Sequence, residues 1–239
     1  MPKRKKKTSN VDSWLERETP HKRMALENAS RHFDDNDTLT VNTLEAIYAQ
    51  ESSFGKARRK RGMAGAAGDF QLERETAKRL GLTVTTRNDE RFDADNAAAA
   101  SAKYLKIHDR TFRKKTILSG TLSTTPMEDP NERKKFSLAA FNAGEGRIAK
   151  AQILAKQHGK DPTKWDDVKE YLTAAGASVT KSREIQRYVE KILEYELEFS
   201  EKSKADKAIK LGRPRKIKRL PKGGHWITLD GKHIFIEEK

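Results

Sequence analysis

Leu44, Ile47 and Tyr48 fall at i, i+3 and i+4, one apolar stripe of a helix, and the next position on that stripe is Glu51. A carboxylate thus stands where a core side chain is expected, at the end of a helix. Burial disfavours the charged form of a carboxyl group and raises its pKa. That is how a Glu becomes a general acid near neutral pH. The alternative is a helix boundary set one turn too far, which leaves Glu51 in water. Two uncharged amides, Gln71 and Asn142, can donate to and accept from neutral polar groups.

Four segments frame these residues. Glu51-Ser52-Ser53 is followed by the Gly-rich turn Gly65-Ala66-Ala67-Gly68-Asp69-Phe70-Gln71. Then come Ala140-Phe141-Asn142-Ala143-Gly144 and, later, Glu184-Ile185-Gln186-Arg187-Tyr188-Val189. In this order the set resembles the lytic transglycosylase (SLT, lysozyme-like) family, which cleaves peptidoglycan, over roughly residues 25–200. The resemblance implies a lysozyme-like helical domain. It also implies cleavage of the MurNAc–GlcNAc β-1,4 bond, with Glu51 as acid and then as base toward the sugar's own 6-hydroxyl, leaving 1,6-anhydroMurNAc ends.

Family positions carry over one at a time. Ser52 and Ser53 follow the acid and help hold it. Gln71, Asn142 and Gly144 line the cleft, and Gly146 keeps the backbone thin nearby. Glu184 orders the cleft floor. Phe141 replaces the usual Tyr of Tyr-Asn-Ala-Gly, so its ring packs but offers no hydroxyl, and Tyr188 is expected to supply that contact to Glu51. Asp69 stands where the family has Leu. It is read either as the N-cap of a helix over 71–80 or as a second carboxylate, which would make the protein a hydrolase. The reading from a different class is a catalytically inert structural module of a virion.

Composition narrows the rest. There is no Cys, and the six His are scattered, so no metal and no cofactor are expected. No run approaches the ~18 apolar residues of a membrane span. The basic start Met1-Pro2-Lys3-Arg4 has no apolar segment after it, so no secretory signal is read there. The formal net charge of +15 sits mainly in residues 1–24 and 201–222, which leaves the centre nearly neutral. Such flanks suit DNA or an anionic wall polymer, as does the cationic loop Gly55–Gly62.

The elements that must position the chemistry follow from periodicity and caps. Residues 1–24 read as a basic leader running into a first helix, 25–200 as the domain, 201–222 as a basic linker and 223–239 as a β-hairpin around Asp230-Gly231. Asn42 with Glu45 reads as a capping box for the Glu51 helix. Helices are expected over 13–33, 97–106, 136–143, 149–157, 165–172 and from Ser182 onward, with a long rim loop over 111–131. The hairpin looks like one found on some phage morphogenesis proteins. That likeness implies a phage-encoded chain, packaged in a virion or released at lysis, with virion proteins as partners of the hairpin.

Overall fold

A computed structural model describes residues 10–35, 37–57, 65–212, 224–229 and 232–237. The expected leader up to residue 9, most of the cationic loop, residues 213–222 of the expected linker 201–222 and the Asp230-Gly231 turn lie outside them, while residues 201–212 of that linker are helical. The chain divides into two compact units, 1–200 and 201–239.

The first unit is mostly helical, as expected. Helix α1 (Asn10–Leu15) and α2 (Pro20–Ser30) replace the single helix read over 13–33, because Pro20 starts a new helix at its first position. Thr19 caps α2 by accepting from the Lys22 N–H. Val11 and Trp14 are buried, so the folded unit begins well before residue 25. The Trp14 ring meets Tyr195 edge-on at 4.8 Å and stacks on Phe199 at 6.4 Å.

Helix α3 (Val41–Ser52) is capped by Thr40, whose side chain exchanges bonds reciprocally with Thr43. This corrects the Asn42–Glu45 box by two residues. Glu45 is instead buried against Arg23 and Glu18, and burial pushes its pKa up to about 8. Leu44, Ala46, Ile47, Tyr48 and Ala49 are all buried, which makes α3 a central element of the core.

Helix α4 is short (Arg74–Arg79), and its N-cap is Glu73, with no side-chain cap bond. Helix α5 (Ala94–Arg113) outruns the expected 97–106 at both ends and is capped by Asp93. Its buried Ala97, Ala98, Ala100 and Ala102 let α2 and then α6 (Pro130–Ala143) pack against it. The acidic turn before α3 is held by cations of α5: Lys106 bonds Asp34 and Asp37, and Arg113 bonds Asp37. The expected rim loop contains a small antiparallel pair, β1 (Ile117–Ser119) and β2 (Leu122–Ser123). It is too short for a readable alternation.

Helices α7 (Glu145–Gln157) and α8 (Trp165–Val168) follow, the latter running into a 3-10 turn, Lys169–Tyr171. Helix α9 spans Val179–Gly212. Ser178, rather than the buried Ser182, accepts from the Lys181 N–H at its start. Ile185, Val189 and Ile192 form its buried stripe. In the second unit, β3 (Gly224–Leu229) pairs antiparallel with β4 (Lys232–Glu237), Leu229 facing Lys232 across a two-residue connection.

Candidate active site

Glu51 occupies the last turn of α3, and the chain leaves that helix abruptly. Ser53 and Phe54 take left-handed backbone angles, φ +51° and +57°. The buried Phe54 ring stacks on Tyr48 at 4.6 Å, which fixes the exit. Ser52 is buried and donates to the Asp69 carbonyl at 2.7 Å, while the Gly55 N–H donates to its hydroxyl at 3.0 Å. Ser52 therefore ties the helix end to the Gly-rich turn rather than facing substrate. The Ser53 carbonyl accepts from Arg17 at 3.1 Å.

The Gly-rich turn is braced from below by a residue to which the sequence motifs assign no role. Arg91 is fully buried and pairs with Asp89 through two nitrogens, at 2.9 and 2.8 Å. Its remaining nitrogen donates to the carbonyls of Gly65 at 2.7 Å and Leu72 at 3.1 Å, the two ends of the turn. Gly68 (φ +79°) lets the backbones touch, the Asp69 N–H donating to the Arg91 carbonyl at 3.1 Å. Gln71 then sits at φ +46°, with its side-chain amide donating to the Gly68 carbonyl at 2.7 Å.

Two cavities flank Glu51. One, of about 650 Å3, takes in Gln50, Tyr188 and Tyr195. The other, of about 610 Å3, takes in Gln71, Tyr104, Phe141, Gly144 and Glu145. Glu51, Asn142 and Glu184 line both, so the three stand where the two hollows meet. Gly144, at φ +82°, makes the sharp α6–α7 junction that carries Asn142 and Phe141 to the wall. Gly146 lines neither cavity; its nearest potential neighbour is the Leu122 side chain.

Asp69 is also outside both cavities. It is fully buried, its carboxylate accepts from the Tyr48 hydroxyl at 2.9 Å, and it does not cap α4. Both readings of Asp69 are thereby corrected: the core, with Tyr48 at its centre, holds this side chain away from solvent.

The electrostatics separate the two remaining acids. Glu51 is half-buried, and burial pushes its pKa up to about 7. The Tyr188 hydroxyl donates to it at 2.7 Å and, with the nearby Lys181 charge, acts in the opposite direction. Glu184 is exposed and held below the usual carboxylate range, first by its bond with Lys181 at 2.7 Å. Asn142 also donates to Glu184, at 3.4 Å, while its own Oδ1 has no protein partner among the described residues. Near neutral pH Glu51 is therefore poised to carry a proton while Glu184 stays ionised. Lys181, Glu184 and Tyr188 share one face of α9 through their i, i+3, i+7 spacing, a signal that could have found Lys181. Tyr104 and Glu145 were also missed. Tyr104 packs at 5.4 Å on Phe141 and at 4.2 Å on His108, whose pKa burial pushes down to about 4.

Residues 29–164 match the model of the transglycosylase SLT domain. The chain belongs to this family. The matched stretch takes in Glu51, Gln71 and Asn142 and stops before α9. Among known proteins the chain is similar to the membrane-bound lytic murein transglycosylase F of Desulfosudis oleivorans, at 30% identity over 64% of this chain and 31% of that protein. The enzyme of the same name from Pseudoalteromonas translucida is 32% identical over 56% of this chain and 24% of its own length. The chain thus spans less than a third of the length of these relatives. The mostly helical architecture is that of a lysozyme-like SLT domain. No described helix is long and apolar enough to cross a membrane.

Proposed function

We propose that the domain is a peptidoglycan lytic transglycosylase that breaks the MurNAc–GlcNAc β-1,4 bond with Glu51 as its one acid and base. The observation that carries this reading is Glu51 itself: a half-buried acid with a pKa of about 7, at the meeting point of two cavities and bonded by Tyr188. In the neutral form Glu51 delivers its proton to the glycosidic oxygen as the bond to the anomeric carbon breaks. The carboxylate so formed is steadied by the Tyr188 hydroxyl and the Lys181 charge. It then takes the proton of the C6 hydroxyl, whose oxygen closes on the anomeric carbon. Asn142 and Gln71 offer amide groups to the N-acetyl and hydroxyl substituents.

A hydrolase of this kind wants a second carboxylate about 5–9 Å from the first, with water between them. Asp69 is buried and engaged by Tyr48, and Glu184 at the cavity junction is engaged by Lys181 and Asn142, which favours the intramolecular route over the hydrolytic one. The test is mass spectrometry of the soluble products from murein sacculi. Anhydro ends are expected; reducing ends would convert the reading to a hydrolase, and no product would leave an inert module.

Tyr188→Phe gives a second check, with the sign set by geometry. The lost bond favours the carboxylate, so its removal raises the Glu51 pKa. The alkaline limb of kcat/KM, which falls as pH rises through about 7 in the wild type, is expected to move to higher pH while kcat drops. A limb that stays put would refute the role given to Tyr188.

The biological setting we assign is a phage-encoded chain acting at entry or lysis, its basic flanks on DNA or an anionic polymer and its hairpin on virion proteins. The hairpin's likeness to phage morphogenesis proteins is the support, and immunodetection of the chain in purified virions is the test.

A further inference from the structure

Helix α9 carries Arg183, Arg187 and Lys191 at steps of four, so the three cations stand about 6 Å apart along one face. All three line the 650 Å3 cavity. Like charges at this spacing weaken a helix taken alone, so the ladder is an arrangement that an anionic occupant would relieve. Lys191 has an internal partner, Glu194 at 2.7 Å, and lies 5.4 Å from the Tyr195 ring. Arg183 and Arg187 are exposed and make no ion pair among the described residues.

The groove is therefore electrically lopsided. Besides the shared Glu51 and Glu184, the α9 cavity presents three cations and no acid. The opposite cavity balances Arg79 and Lys181 against Glu73 and Glu145. A peptidoglycan glycan chain has no charge to match this, because the lactyl carboxyl of each MurNAc is amidated by its peptide. The negative charge of the polymer sits on the free carboxylates of that stem peptide. Arginine suits such groups, since its planar fork bonds a carboxylate through two nitrogens at once.

Resting on the activity proposed above, we infer that Arg183 and Arg187 form a carboxylate-binding subsite for the acidic stem peptide, so that the domain selects glycan whose stem peptides carry free carboxylates. The test reads binding rather than turnover, so its outcome does not depend on which reaction Glu51 performs. Full-length Glu51→Gln protein is cosedimented with intact sacculi and with sacculi whose stem-peptide carboxylates have been blocked by carbodiimide coupling to ethanolamine, which leaves the glycan and its cross-links in place. Intact sacculi are expected to bind roughly tenfold more tightly, with the preference falling to about one in Glu51→Gln/Arg183→Gln/Arg187→Gln. Equal affinity for the two sacculi overturns the inference. So does an equal loss on both when the arginines are removed, which would mark a general polyanion or glycan contact.

Discussion

Glu51→Gln is expected to lower murein turnover by at least about 10³-fold while leaving the helical fold in place. General acid catalysis by one side chain contributes about 10²–10⁴-fold, and in the proposed mechanism the same carboxyl group acts in both halves of the reaction. Gln keeps the shape and can still accept from Tyr188, but it has no proton to give. The substitution also has a stability signature. Burial raises the folded-state pKa of Glu51 from an ordinary 4.5 to about 7. The wild type is thus undisturbed below pH 4.5, loses stability as pH rises toward 7, and stays at that lower level above it. The Gln variant should match the wild type in Tm at pH 4 and exceed it at pH 8, the gain being at most about 3 kcal/mol. Circular dichroism melts at the two pH values read this directly. An equal Tm at pH 8 would mean that the acid is not held in a dry place.

The second large effect lies under the site. In Gly68→Ala the new methyl carbon would stand 1.8 Å from the Arg91 carbonyl oxygen and 2.4 Å from its carbon. Both are backbone atoms, and the Arg91 side chain is fixed by Asp89, Gly65 and Leu72. The residue is also at φ +79°, where an L side chain is strained. The turn must open, at a cost of about 3 kcal/mol or more, and Gln71 leaves the cavity wall with it. Gly146→Ala is the matched control. Its methyl group meets nothing closer than a Leu122 side-chain carbon at 3.9 Å, and in α7 an Ala should add about 0.5–1 kcal/mol. Tm should therefore fall in Gly68→Ala and rise slightly in Gly146→Ala, with turnover lost only in the former. A Gly68→Ala protein as stable and active as the wild type would show that the turn does not depend on this close approach.

The position of Glu51 is readable from sequence because helical periodicity is local: three apolar residues and one acid share a stripe. Tyr188 is readable for a different reason, since Phe141 lacks a hydroxyl and a tyrosine elsewhere in the motifs could replace it. What escapes is whatever depends on partners distant in the chain. Glu45 looks like a capping residue because Asn42 precedes it, yet Arg23 of α2 draws it into the core and Thr40 takes over the cap. Asp69 looks like a cap or a catalyst, but only the fold shows that the Tyr48 hydroxyl claims it. The Asp89–Arg91 pair is two charged residues in a polar stretch, indistinguishable by composition from surface charge, although it is fully buried. The β1–β2 pair is too brief for any alternation to register.

Trp14 lies against Tyr195 and Phe199, and Phe199 in turn meets Phe54, three residues beyond the acid. The two extremities of the helical unit therefore clasp one another beside the reactive carboxyl, whose hydroxyl neighbour comes from 137 positions further on. A polypeptide still emerging from the ribosome carries the acid long before it carries that neighbour or the wall that excludes water. Until α9 is made and docks, Glu51 lacks both its hydroxyl partner and the cavity wall beside it, so the proposed acid is assembled late in synthesis of the domain.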